Sequence, residues 1–475
     1  MKAGILNFQN IFTTSKNKYS NLIFLVGLFV LGGLSWKYYQ PYNSPLLDGD
    51  KSIWIAIANK PHFPDGLYYW GQDRLGSLIP ILSHVLAIIG ISPILGLSIV
   101  NLGIQGLTSS IIFRISNSIF IGWIVGIFLL IPPWTFQPLN SVAQPYTTQV
   151  LVLALFLLFT KENNIIKFRN GLLLSLILGL GIWVSESSIA LLFPISFYLW
   201  RNHKRNHSNY YGFAIGLIVS ITLINILKNN VTRSNNYHTM IKSITEMNES
   251  FLGIYNLLNY YWSTQELKLL SIFIIVISTT LAGSYRAKRI SMYILQFGIA
   301  LTLITLLSGW VSKNPFNQRY FALPIFIIIL GYLVGLEFNL KWKRVLSLCL
   351  LLCILWISII PFGYISSSYR PTRDRPTRLE ITNILQNITY PLVGDYWGIY
   401  LALGLKNSLI VTEKDYWLTR NKWDREKVIN SDTIQLLDFS APERFTLDKE
   451  NYIIESINSN VGPYKLSTYI KDTID

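Results

Sequence analysis

Charge is scarce in this chain. Lys, Arg, Asp and Glu make up 14% of its 475 residues against a hydrophobic share of 51%, where a soluble protein would carry charge on roughly a quarter of its positions. With a positive mean hydropathy, that shortage excludes an ordinary soluble protein and points to a chain that crosses a membrane several times. Cysteine is nearly absent. Cys349 and Cys353 are the only two, one helical turn apart in an apolar run, which reads as small apolar filler rather than a disulfide framework or metal site. Acids are outnumbered, 25 against 40 Lys and Arg, for a formal net charge of +15. The basic residues fall in short clusters between apolar runs instead of along one polar face, so the excess marks cytoplasmic loops and not a nucleic-acid partner. Zinc-ligand spacing, a P-loop, a G-x-G-x-x-G after a strand and a G-x-S-x-G elbow are all missing.

What is present is a series of apolar runs, each a candidate for the ~20 residues that cross hydrocarbon. They cover Asn21 to Trp36, Leu75 to Ile91, Ile94 to Phe113, Ile119 to Ile131, Tyr146 to Thr160, Gly171 to Val184, Ser187 to Trp200, Phe213 to Leu227, Leu269 to Leu281, Met292 to Trp310, Tyr320 to Leu336 and Val345 to Phe362. The first follows a basic stretch (Lys2, Lys16, Lys18) and lacks a small-residue cleavage site, so an uncleaved helix is expected. Ser92-Pro93 between the second and third runs predicts a break or kink.

Lys and Arg density orients the chain. The N-terminal tail, Arg114, Lys161 to Arg169, Arg201 to His207, Arg286 to Arg289 and Lys341 to Arg344 go to the cytoplasm. The loop 37–74, the turn Pro132 to Pro145, the Ser185-Glu186-Ser187 turn, the loops Lys228 to Lys268 and Val311 to Arg319, and everything after Phe362 then face outward. This leaves only one crossing for the two runs between Leu75 and Phe113, so Leu75 to Ile91 is expected to be re-entrant or to lie at the surface, with Ser77, Ser83 and His84 toward protein or water.

After Ser366 the composition turns soluble. A basic, proline-broken linker (RPTRDRPTR) precedes expected strands at Pro391–Tyr396, Ser408–Thr412, Ile434–Phe439 and Tyr464–Tyr469, and expected helices at Leu379–Gln386, Gly398–Leu405 and Asp448–Asn458. The pattern is that of a small βαβ-type domain. The expected fold is therefore a polytopic α-helical membrane domain, residues 1–363 with about 11–13 transmembrane helices, followed by a soluble α/β domain, residues 364–475.

The chemistry-bearing residues collect in the outward loops. Asp48-Gly49-Asp50 sets two carboxylates around a glycine, which suits a general base or a cation site. The competing reading is structural, with Asp50 capping the helix KSIWIAIANK. In that helix Ile53, Trp54, Ile57 and Ala58 share a face, as in an amphipathic helix lying in the interface with Trp54 at headgroup depth. Arg74 and Arg319 each stand at the outer end of an apolar run, where a guanidinium either snorkels to water or clamps a phosphate, and Lys313 adds a charge nearby. Glu186, at the outer end of its helix, reads either as a loop residue or as a cavity-facing acid; Gln144 and Tyr146, at another outer turn, read as binders of sugar hydroxyls or as ordinary loop residues, and Tyr320 is a candidate substrate contact. His62 is an exposed loop histidine or a substrate contact.

These features resemble the GT-C class of integral-membrane glycosyltransferases, which includes protein O-mannosyltransferases and the lipid A aminoarabinose transferase. The resemblance runs over roughly Asn21 to Phe362. It rests on a first helix followed by an outward loop with LDGDKSIWIAIA, on QDRLGSLIPIL, on RYFALP at the outer start of a late helix, and on a soluble domain after the last helix. It implies inverting transfer of a sugar from a polyprenyl-phosphate donor to a glycan, lipid or protein acceptor at the outer face of a bacterial inner membrane. Asp50 then becomes the base with Asp48 its neighbour, and Arg74, Arg319 and Lys313 hold the phosphate. Two departures stand out: the acids are split by Gly49, and the Pro132 to Pro145 turn has no Asp, which leaves the acceptor class open and a divalent metal unassigned. A transporter or flippase of a lipid-linked or polar solute, and a non-catalytic scaffold, are the rival classes. A transporter is expected to show inverted repeats and midplane broken helices, and no repeat is visible.

Overall fold

The computed structural model describes residues 18–162, 168–202, 208–231, 289–308, 311, 318–335, 351–352, 354–356, 358–359, 375–415, 422–461 and 464–472. Lys313, the run Leu269 to Leu281, most of Val345 to Phe362 and both cysteines lie outside them. The chain divides into two compact units. One comprises Met1–Ser35, Leu102–Asn225 and His238–Pro361, the other Trp36–Asn101, Ile226–Tyr237 and Phe362–Asp475. The loop 37–74 thus groups with the residues from Phe362 onward.

In the first unit the apolar runs are helices: α1 (Lys18–Tyr38) in part, then, after α2 and α3 of the second unit, α4 (Pro93–Ser116) from Leu102 on, α5 (Ile119–Leu130), α6 (Tyr146–Glu162), α7 (Phe168–Val184), α8 (Leu192–Asn202), α9 (Ser208–Asn229) up to Asn225, α10 (Arg289–Leu307) and α11 (Ala322–Gly335). Among the described residues four helices, α1, α4, α9 and α10, are long and apolar enough to cross a membrane. The run expected from Ser187 to Trp200 is broken. It opens as a 3₁₀ turn at Glu186–Leu191 and becomes α-helical only at Leu192, with Pro194 in the first turn, where its missing N–H costs no helical hydrogen bond.

Helix pairing in this unit relies on small residues. Gly171, Ser175 and Gly179 recur every fourth residue on α7, and Gly212, Gly216 and Ser220 do so on α9. A Cβ on Gly171 would meet the Asn209 carbonyl, on Gly212 the Phe168 carbonyl, on Gly216 the Ser175 side chain and on Gly179 that of Ser220. This small-every-four stripe lets two apolar helices approach closely where lipid removes the hydrophobic drive to associate. Larger side chains fill the centre: Phe128 packs on Phe136 and Phe326 at 5.0 Å each, all three buried.

The second unit contains α2 (Gly49–Asn59), α3 (Leu78–Ile88) and the C-terminal α/β segment. At ~1.5 Å per residue α3 spans ~16 Å, about half the hydrocarbon thickness, so the run Leu75 to Ile91 is too short a helix to cross by itself. It stops in a Schellman motif: Gly90, at φ 92°, donates to the Ala87 carbonyl (3.0 Å) and Ile91 to that of Leu86 (3.1 Å). Three residues later Pro93 opens α4 at the position a proline tolerates best. Ser83 bonds back to the Ile79 carbonyl at 2.7 Å, and His84 Nδ1 lies 2.9 Å from the Ala58 carbonyl of α2, so both face protein.

The C-terminal segment holds α12 (Arg378–Ile384), α13 (Tyr396–Leu405), α14 (Lys422–Ile429) and a six-stranded sheet. The strands are β1 (Leu392–Gly394), β2 (Val411–Glu413), β3 (Thr433–Asp438), β4 (Arg444–Leu447), β5 (Glu450–Val461) and β6 (Tyr464–Lys471), in the order β2-β1-β3-β6-β5-β4. The β2-β1-β3 half is parallel and the β3-β6-β5-β4 half antiparallel. Residues Asp448 to Asn458, expected as a helix, instead form a turn, with Asp448 at φ 56°, and most of β5. Arg378 ties this segment to the start of the loop 37–74, donating to the carbonyls of Pro41, Tyr42 and Ser44 at 2.9–3.0 Å.

Candidate active site

The helix α2 begins two residues earlier than its sequence implies. Asp48, not Asp50, is its N-cap: extended at φ −135°, it accepts the Lys51 N–H at 3.0 Å. Lys51 folds back so that its ammonium lies 3.2 Å from Asp48 and donates to the Leu46 carbonyl. Nor is the helix an interfacial one. Ile53, Ile55, Ile57 and Ala58 are fully buried and Trp54 nearly so, which places apolar residues on every side, as in a helix inside protein. The covering elements are α3 and α13.

With Asp48 engaged in capping, Asp50 in the first turn carries the other carboxylate. Its Oδ1 accepts the Tyr396 hydroxyl at 2.6 Å and the Tyr69 hydroxyl at 3.2 Å, and the two phenolic oxygens are 2.7 Å apart. Each partner is positioned by its own local structure. Tyr69 starts a β-turn closed by Gln72 N–H to its carbonyl at 2.9 Å, with Gly71 supplying the positive φ of 75°. A further bond from Tyr69 N–H to Leu75 O (2.9 Å) and the Tyr68–Gly76 bridge pin the base of this loop. Its tip presents Arg74, half-buried, whose Nε donates to Gln72 Oε1 at 3.1 Å. Tyr396 is the first residue of α13, which Asp395 caps by accepting the Trp397 N–H at 3.1 Å.

His62 stands apart from this carboxylate. It is exposed, at φ 50°, and its ring lies parallel to that of Trp423, 4.2 Å away. Burial against its neighbours lowers its pKa, with Asp424 opposing that shift.

The first unit holds its own group. Arg319, in the 3₁₀ turn Gln318–Tyr320, donates from Nη2 to the Tyr320 hydroxyl at 2.7 Å and stacks over that ring at 4.8 Å. Tyr146, buried at the start of α6, lies within electrostatic reach of both. One turn along α6, the buried Gln149 donates to Ser187 and Ser188 at 2.9 and 3.0 Å. Ser185 and Ser187 share a bond at 3.0 Å across the half-buried Glu186, so that acid begins a hydroxyl-rich turn. Gln144 is half-buried in the preceding turn. The structure thus joins Arg319, Tyr320 and Tyr146 in one group, and Asp48 and Asp50 on one helix turn. Among the described residues no three His, Cys, Asp or Glu side chains gather as a metal site.

Tyr69 and Tyr396 carry no sign in the sequence of their role at Asp50. The first lay in the aromatic run Tyr68-Tyr69-Trp70 and the second in the G-D-Y-W that ends β1, yet nothing local pairs either with Asp50.

Among the solved structures that match the chain, two do so over most of its length. Both are ArnT from Cupriavidus metallidurans, the lipid A aminoarabinose transferase of the GT-C class, one in the apo state and one bound to undecaprenyl phosphate. The apo structure aligns with a TM-score of 0.56 and the bound one with 0.58; in each, 94% of this chain and 97% of ArnT are covered at 12% identity. The chain has the fold of ArnT. At this identity the likeness is one of architecture. No protein-family model matches the chain, and no curated protein matches it by sequence. The ArnT-like fold embraces both units, so the C-terminal segment belongs to the shared architecture and is not an unrelated appendage.

Proposed function

We propose that the protein is an integral-membrane glycosyltransferase that moves a sugar from a polyprenyl-phosphate donor to a hydroxyl-bearing acceptor at the outer face of a bacterial inner membrane. The observation that carries this reading is the ArnT-like fold over 94% of the chain, one of the two ArnT structures being bound to undecaprenyl phosphate. The lipid part of the donor lies among the apolar helices, while the sugar and phosphate meet the polar loops. Asp50 accepts the proton of the acceptor hydroxyl as its oxygen bonds to the anomeric carbon. The bond from that carbon to the phosphate oxygen breaks, and its electron pair leaves with polyprenyl phosphate. Attack opposite the leaving group inverts the anomeric centre. Arg74 and Arg319, with Lys313, stabilise the charge that grows on the phosphate. Tyr146, Tyr320, Gln144, Glu186 and His62 are assigned to binding sugar and acceptor, which is a glycan, lipid or protein.

The test is sugar transfer from ¹⁴C-labelled undecaprenyl-phosphate donors in membranes. Asp50→Asn should lose activity by at least about a hundredfold, the scale of a removed general base, at unchanged protein level. Full activity in that variant sinks the assignment. Cysteine labelling from either side of the membrane checks the orientation: a segment after Phe362 reached only from the cytoplasm would overturn it.

A further inference from the structure

The C-terminal segment supplies a hydroxyl to the carboxylate of α2. Tyr396 reaches Asp50 Oδ1 at 2.6 Å across 346 positions of sequence, a length typical of a phenol donating to an ionised carboxylate. Each phenol has a single O–H to give. With that of Tyr396 on Asp50, the Tyr69 hydroxyl 2.7 Å away donates either to Tyr396 or to the same carboxylate oxygen at 3.2 Å. The arrangement is a short chain of donors ending on Asp50.

Tyr396 is held rigidly enough to aim what it touches. Its ring packs edge-on against Trp397 at 5.0 Å and Tyr400 at 5.2 Å. The Tyr400 hydroxyl in turn bonds buried Glu413 of β2 at 2.7 Å. Behind it, the capping Asp395 accepts Tyr464 OH from β6 at 3.2 Å, so the sheet fixes the first turn of α13. The two helices lie close because each offers a glycine. A Cβ on Gly49 would come within 3.2 Å of Trp397, and one on Gly404 within 2.5 Å of Ser52.

We propose that Tyr396 is a positioning residue for the transfer reaction: it orients the Asp50 carboxylate, and through it the C-terminal segment completes the catalytic site. This rests on Asp50 being the base. A side chain that acts only by aiming another affects the chemical step, since a base misplaced by about 1 Å costs on the order of a hundredfold, and leaves donor binding alone.

The experiment compares full-length wild type, Tyr396→Phe, Asp50→Asn and the double variant in membranes at matched protein levels. The donors are undecaprenyl phosphate carrying ¹⁴C-labelled aminoarabinose, mannose or glucose, whichever the wild type turns over. Tyr396→Phe should lower kcat by about ten- to a hundredfold with KM unchanged, and should cost nothing further in the Asp50→Asn background. Wild-type kcat in Tyr396→Phe beside an inactive Asp50→Asn overturns the positioning role and spares the base. Full activity in Asp50→Asn overturns the base itself. A loss confined to KM, or one that adds fully to that of Asp50→Asn, also overturns positioning. If Tyr396→Phe fails to accumulate, Tyr69→Phe breaks the same chain without touching α13 and should lower kcat by about three- to tenfold; an unchanged kcat there counts against the proposal. Thermal unfolding of the purified variants gives an arm that needs no donor: the Asp50→Asn and Tyr396→Phe shifts should be non-additive, and additive shifts would deny the contact.

Discussion

Asp48 and Asp50, two residues apart, face different partners. Asp48 accepts the Lys51 N–H as the cap of α2 and pairs with its ammonium, whereas Asp50 receives the phenols of Tyr69 and Tyr396. Gly49 between them lets α2 pack on Trp397.

The capping role predicts how Asp48 variants behave. Asn caps a helix about as well as Asp, so Asp48→Asn should keep transfer within about threefold of wild type, less than the ~1.4 kcal/mol that marks a tenfold change. Asp48→Ala removes the cap, at ~1 kcal/mol, and also strands the buried Lys51, so it should lower the unfolding temperature. An Asp48→Asn enzyme as dead as Asp50→Asn would show that Asp48 shares in the chemistry.

The tight joint between α2 and α13 makes a second prediction. Gly→Ala inside a helix ordinarily gains up to about 1 kcal/mol. At Gly404 the new methyl would lie 2.5 Å from Ser52 Oγ and 2.6 Å from its Cβ, and the Cβ cannot swing aside. Gly404→Ala should therefore destabilise, and adding Ser52→Gly, which moves the gap to the other helix, should restore much of the loss. Thermal unfolding of both variants decides it, and a stabilised Gly404→Ala would refute the close approach.

Much of the architecture was legible because its signals are local. Apolar runs predicted α1 and α3 through α11, Ser92-Pro93 predicted the break before α4, β1 lies within its expected strand, and β2, β3 and β6 overlap theirs. What failed was non-local. β5 lost its alternating pattern because register shifts at Ile454/Ser456 and Ile457/Ser459 put bulges into its pairing with β6, and a bulge throws side chains out of the two-residue period. Ile53, Trp54, Ile57 and Ala58 looked like one lipid-facing stripe because the helix that covers α2 starts at residue 396. For the same reason the loop sequence named Asp50 but not Tyr396, its partner.

Arg425 predicts the behaviour of the sheet domain. Only 5% exposed, it clamps Asp448 through Nε and Nη2 at 3.1 and 2.5 Å and gives Nη1 to the Glu413 carbonyl at 2.8 Å. It thereby joins α14, β2 and the turn before β5. Removing one partner of a buried pair costs about 3–5 kcal/mol, and the one-third exposure of Asp448 brings the expectation for Arg425→Ala to the bottom of that range. Arg425→Lys keeps the charge without the fork and should fall between. Limited proteolysis of the C-terminal segment ranks the three proteins. Equal resistance would mean that the clamp adds nothing.

His62 predicts a pH dependence whose sign follows from its surroundings. Its imidazole lies parallel to Trp423, and burial there lowers its pKa below the ordinary value of 6.5; Lys60 and Lys427 push the same way, while Asp424 and Asp65 oppose. The unfolded chain consequently holds more protons on this residue than the folded one as pH falls through that range. The stacked contact contributes fully above the unfolded value and is lost as pH drops through the lowered folded value. Because the ring is exposed, solvent screening keeps the effect small. His62→Asn isolates it, since Asn tolerates the left-handed backbone that φ 50° requires. Between about pH 7.5 and 5, a window bracketing the ordinary histidine pKa, the wild-type unfolding temperature should fall more steeply than that of His62→Asn. Parallel slopes would show that the proton on His62 is not coupled to folding, and a steeper slope in the variant would reverse the sign argued here.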